Sequence, residues 1–139
     1  MTPEEVFRAL VRGVAAGDFE ALPDLYAEQT DVRHPMHPAG GPPLRTRDEL
    51  REHFSVGPKV NAVVTFDATN LVVHQTTDPE VIVAEFDYAG TSEVTGEPFR
   101  ASNIFVMRIR DGQIVESRDY IDHLAMAKAR GLVDQLIGT

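Results

Sequence analysis

The chain has no cysteine among its 139 residues, which removes disulfide frameworks, thiolate nucleophiles and thiolate metal sites at once. Positive charge is scarce as well: 13 Lys and Arg stand against 22 Asp and Glu, a formal net charge of -9. Such a chain repels a phosphate backbone, and no basic cluster is denser than the scattered arginines from Leu44 to Arg51, so nucleic acid is not an expected partner. No run approaches the ~20 apolar residues of a membrane span, and no basic N-terminal segment leads into an apolar one. A cytoplasmic protein without membrane attachment is the expectation. Glycine-rich phosphate cradles, nucleophilic serine elbows and dinucleotide fingerprints are missing too, so no cofactor is indicated. Histidine and carboxylate are left to carry any chemistry.

What is present suits one core. At 42% apolar content, a chain of this length can bury a single core, and without an internal repeat or linker it reads as one domain over residues 1–139. Thr2, Pro3 and Glu5 spell a capping box with proline in the first turn, and Val6, Phe7, Leu10, Val11 and Val14 follow at helical spacing, so a first helix is predicted to about Ala16. Asp18 can cap a second helix through Phe19, Leu22, Leu25 and Tyr26, against the cost of Pro23. Thr46 and Glu49 open a short helix with Leu50 and Phe54 inward. Pro35 to Pro43 reads as a loop.

After Val60 the period changes. Val63 to Val73, Val81 to Thr91, Phe99 to Arg110 and Gln113 to Asp122 are rich in β-branched and aromatic residues, with Asp111-Gly112 and Thr95-Gly96 as hairpin signals. Helices first and hairpin-linked strands afterwards give an α+β fold with a mainly antiparallel sheet packed against N-terminal helices. Alternation turns Ile82, Ala84, Phe86, Tyr88 and Gly90 inward on one strand, and Ala101, Asn103, Phe105, Met107 and Ile109 on the next. It does not decide the last strand. A final helix is expected from about Leu124 to Leu136, weakened by Gly131.

Five segments together resemble a known family: Gly-Asp-Phe-Glu-Ala-Leu (17 to 22), Leu-Tyr-Ala-Glu (25 to 28), Val-Arg-His-Pro (32 to 35), Arg-Asp-Gly-Gln-Ile-Val (110 to 115) and Ser-Arg-Asp-Tyr-Ile-Asp (117 to 122). The chain resembles the SnoaL-like and ketosteroid-isomerase-like branch of the nuclear transport factor 2 superfamily, over nearly its whole length. The resemblance implies a curved, cone-shaped sheet enclosing a pocket, and a homodimer formed through the sheet's outer face. Where ketosteroid isomerases have an aspartate base, the matching position is His34, and their tyrosine and protonated aspartate correspond to Leu10 and Phe105, so steroid isomerisation by that mechanism is not implied. SnoaL-like polyketide cyclases carry a catalytic aspartate that matches Asp119. Arg118 to Asp122 is similar to the Arg-Glu-Phe-x-Asn of phenazine-biosynthesis A/B proteins. This alignment puts Ser117, Asp119 and Ile121 in the pocket, with Glu116 and Arg118 on the other face or at the rim.

Asp119 and His34 are therefore the expected catalytic pair. A carboxylate in an apolar pocket has its pKa raised toward working pH, while an imidazole titrates near neutrality without tuning. The plainer alternatives are a solvent-facing aspartate paired with Arg118 or Arg108, and a histidine packed beside Pro35 that bonds a loop carbonyl. Ligand-binding candidates are Tyr26, His37, Phe54, Phe86, Tyr88, Asn103, Phe105 and Ser117, although aromatics at such spacing are more often plain core. His34 and His37 in His-Pro-Met-His share no helix face and have no identifiable third ligand, so no metal is expected. His53, His74 and His123 read as surface residues. The resulting expectation is a cofactor-independent isomerase, aldol-type cyclase or dehydratase acting on a small apolar oxygenated molecule. The alternative is a non-catalytic carrier or sensor with the same pocket.

Overall fold

The Thr2 hydroxyl accepts from Glu5 N at 3.2 Å while the Glu5 carboxylate accepts from Thr2 N at 3.0 Å. This capping box opens helix α1 (Pro3–Ala16) in the computed structural model, which describes residues 1–138. Val6, Phe7, Leu10 and Val11 form its buried stripe. Gly17 ends it in the left-handed region at φ 80°, where a side chain is strained. The expected second helix does not form. Only a 3-10 turn, Leu22–Leu25, appears there, because the Pro23 ring lacks an N–H and blocks an α-helix that would start near Phe19. Leu22 and Tyr26 reach the core nonetheless.

Six strands make one curved, unclosed sheet. They are β1 (Gln29–Arg33), β2 (Leu44–Thr46), β3 (Val64–Gln75), β4 (Val81–Ser92), β5 (Pro98–Arg110) and β6 (Gln113–Tyr120), in the order β2-β1-β6-β5-β4-β3. All neighbours are antiparallel except β1 and β6. The four long strands lie where the sequence puts them, whereas β1 and β2 are additional. Asp111 (φ 52°) and Gly112 (φ 76°) both take positive φ at the β5–β6 turn, as a tight hairpin requires. Gly90 has a different role: a Cβ there would stand 1.8 Å from the Thr65 carbonyl oxygen, so only glycine lets β3 and β4 approach this closely.

The inward faces of β4 and β5 are those that alternation predicts, with Ile82, Ala84, Ala101 and Met107 fully buried. The last strand resists such a reading for a physical reason. Its register on β5 slips between Arg108↔Glu116 and Ile109↔Ile114, a bulge at Val115 that reverses which residues face in. Ile114 is buried before it, and Ser117 and Asp119 after it.

Helix α2 (Arg47–Ser55) starts on Thr46, whose hydroxyl accepts from Glu49 N at 3.1 Å, and a single turn, α3 (Gly57–Val60), follows. The predicted C-terminal helix is split. Gly131, at φ 73°, stops α4 (His123–Arg130) before α5 (Val133–Ile137) begins. Behind the helices, Phe86 packs edge-on against Phe7, Tyr88 and Phe105 at 5.4, 5.0 and 4.9 Å between ring centres. These geometries are the favoured ones for aromatic pairs and form the centre of the core.

Candidate active site

Strands β1 and β6 run parallel, with Val32 opposite Ser117 and Arg33 opposite Arg118. Extending that register by one residue brings His34, the residue after β1, level with Asp119. Their side chains meet, with Nε2 of His34 3.7 Å from Oδ2 of Asp119. The other carboxyl oxygen, Oδ1, accepts a short hydrogen bond from the Ser117 hydroxyl. A strand places side chains two residues apart on one face, so Ser117 orients Asp119 from the same strand.

Both groups are kept from their charged forms. Burial pushes Asp119 up to about 7, opposed only by the Ser117 bond. Burial pushes His34 down to about 4, helped by the neighbouring His53, His123 and His37. At 3.7 Å an aspartate and an imidazolium would attract, yet Asp119 is 5% exposed and desolvation of two charges outweighs that attraction. Between about pH 4 and about pH 7 the pair is a carboxylic acid beside a neutral imidazole.

The pair opens on a cavity of about 420 Å³ between the sheet and the helices, large enough for a small organic ligand. Leu10 and Val14 of α1, Leu50 and Phe54 of α2, and Met126 and Ala127 of α4 supply apolar wall. Of the expected ligand-binding residues, Tyr26, His37, Phe54, Tyr88 and Phe105 line it. Burial raises the pKa of both tyrosines, and the nearby Asp119 raises them further. His37 Nδ1 accepts from Ala39 N at 3.2 Å, which leaves the ring proton on Nε2.

The other three do not line it. Phe86 is turned into the aromatic core. Ser117 is sealed behind Asp119 and spends its hydroxyl there. Asn103 accepts from Asp122 N at 3.0 Å and donates to the Ala101 carbonyl at 3.3 Å. Because Asp122 in turn caps α4 through Ala125 N at 3.0 Å, Asn103 fixes where that helix begins.

Two histidines expected at the surface line the cavity instead. His53 lies 5.5 Å from His34 between ring centres, and His123 lies 6.2 Å from His34 and 4.7 Å from His37. Burial lowers the pKa of both, that of His123 to about 4. His123 Nε2 is buried without a hydrogen-bond partner among the described residues. Arg130 and Asn61 also line the wall, Arg130 Nε donating to Asn61 Oδ1 at 2.8 Å. One signal was available: His123, Met126, Ala127 and Arg130 fall at i, i+3, i+4 and i+7, one face of α4. His74 is exposed on the outer face, 2.7 Å from Glu85. No three His, Asp or Glu side chains stand in metal-ligating proximity among the described residues.

The sequence model of the SnoaL-like domain matches residues 7–117. A PhzA/B-like protein of Pseudomonas aeruginosa, itself uncharacterized, is 30% identical over 138 residues, covering 96% of this chain and 94% of its own. Among solved structures, one named "Putative Isomerase from Bacillus subtilis" superposes with a TM-score of 0.79 at 26% identity, covering 92% of this chain and 91% of that one. A protein with a ketosteroid isomerase-like fold from Catenulispora acidiphila gives 0.71 at 18% identity, with 97% and 98% covered. At that identity the likeness is one of fold alone.

Proposed function

Since the chain belongs to the SnoaL-like domain family, we propose that it is a cofactor-independent acid/base enzyme that moves a proton on a small apolar oxygenated molecule. The observation that carries this reading is Asp119, the cavity's only carboxyl group among the described residues, held beside His34 with its pKa near neutrality. A general base works best when its pKa lies near the working pH.

Relative proton affinity assigns the roles. Asp119, at about 7, outranks His34, at about 4, as a base. Asp119 removes a proton from a carbon next to a carbonyl. His34, neutral at that pH, serves as the hydrogen-bond partner of the oxygen on which charge develops, as a neutral imidazole can. The Tyr26 and Tyr88 hydroxyls, both on the cavity wall near Asp119, are further donors toward such an oxygen. Leu10 and Phe105 put only hydrocarbon on that wall. Return of the proton to another carbon gives isomerisation; attack of the enolate on a second carbonyl gives aldol-type cyclisation; loss of a β-hydroxyl gives dehydration.

The test uses 2-tetralone, an apolar ketone of a size suited to the cavity, and follows deuterium uptake from D2O at its α-carbon by NMR. The wild type is expected to accelerate exchange, Asp119→Asn to lose about 100-fold or more, and His34→Ala about 10-fold or more, the range of general acid–base contributions. Binding without accelerated exchange in the wild type would leave a carrier, and equal rates in the wild type and Asp119→Asn would remove Asp119 as the base.

A further inference from the structure

The cavity's chemistry is lopsided. In a chain of net charge -9, its wall bears four histidines and one arginine, while Asp119 is its single carboxyl group among the described residues. Arg130 is half-buried in that wall. It forms no ion pair with a carboxylate among the described residues, and Asn61 Oδ1 engages its Nε, one of a guanidinium's five donors. An arginine keeps its charge even where burial disfavours it, as burial does here. A desolvated cation facing an apolar cavity calls for an anion from the ligand.

Helix α4 also sets a length. His123 and Arg130 are two turns apart on one face, roughly 10 Å along the axis at 1.5 Å per residue, with Met126 and Ala127 between them on the wall. Resting on the acid/base reading above, we propose that the substrate is a small organic acid whose carboxylate sits on Arg130, whose apolar body lies along Met126 and Ala127, and whose reacting carbon reaches Asp119 and His34. The His123 ring, 6.2 Å from that of His34 between centres, borders the reacting end. Asn61 is a positioning residue that orients the guanidinium.

The experiment compares 2-naphthoate with the neutral, similarly shaped 2-naphthamide by calorimetric titration at pH 7.5. The wild type is expected to bind the carboxylate at least tenfold tighter. Arg130→Gln should bring the two affinities together while leaving that for the amide unchanged, and Arg130→Lys should keep part of the preference, since it retains the charge without the fork. Equal affinities in the wild type overturn the inference, and so does an undiminished preference in folded Arg130→Gln. If that variant does not fold, the wild-type ratio and Arg130→Lys decide the matter. Equal binding of both probes leaves the acid/base reading intact, because deuterium exchange into 2-tetralone tests it separately. Failure of 2-naphthoate to bind the wild type overturns the inference as well, whatever the amide does.

Discussion

The His34 imidazole and the Asp119 carboxyl face each other at 3.7 Å with their proton affinities displaced toward each other's usual range, His34 down to about 4 and Asp119 up to about 7. Burial is the first cause of both displacements. The acid therefore becomes the base of the pair, and four consequences follow from this geometry and its surroundings.

Folding stability should reveal Asp119 directly. Its folded pKa lies above its unfolded value of 3.8, so its contribution is most favourable below pH 3.8 and is lost as the pH rises to about 7. Asp119→Asn should equal the wild type near pH 4 and exceed it at pH 8 by about 2–4 kcal/mol, the size of a three-unit displacement discounted for relaxation. Urea unfolding at the two pH values measures this. An Asn variant weaker than the wild type at pH 8 would refute the burial argument.

Activity should follow the same ionisation with the opposite benefit. Exchange into 2-tetralone should rise about tenfold per pH unit below 7 and level off above it. In His34→Gln the plateau should fall while a single ionisation still governs the profile. A wild-type profile flat from pH 5 to 9 would exclude Asp119 as the titrating base.

Phe86 and Tyr88 neighbour each other in space, with ring centres 5.0 Å apart, but differ in duty. Phe86→Ala should cost about 3–5 kcal/mol, as for other buried aromatics. Tyr88→Phe should change stability little and weaken ligand binding or exchange, because Tyr88 lines the cavity. Chemical denaturation and the exchange assay, run on both variants, separate the two roles.

Gly90→Ala should destabilise by about 2 kcal/mol or more, since its Cβ would meet backbone rather than a yielding side chain. An unchanged urea midpoint would show that β3 and β4 do not approach as closely as described.

The parts of the fold legible in the sequence were those with sustained periodicity. Thirteen residues of β5 alternate cleanly, and Thr2 and Glu5 announce α1 by chemistry alone. β1 and β2 are five and three residues long and flank a proline-rich loop, too short for alternation to register. The bulge at Val115 reverses the phase of β6, so no single period describes it, and the family resemblance supplied the correct face. Within the site, His34 and Asp119 were visible through motif position. His53 and His123 were not, because a lone histidine on a helix gains meaning only when packing turns that helix over a cavity. Asn103 and Phe86 went the other way. Their inward orientation was readable, but whether an inward residue meets a cavity, a cap or another ring depends on what packs opposite.

The parallel contact between β1 and β6 also governs when the reactive pair comes into being. His34 is made before Asp119, and the register Val32↔Ser117 can be set only once β3, β4 and β5, which lie between the two strands in sequence, have been made. Loop closure of that span is slow compared with forming local hairpins. A chain that stops before Ser117 thus lacks the strand that sets Asp119 beside His34, and the paired site belongs to the folded molecule alone.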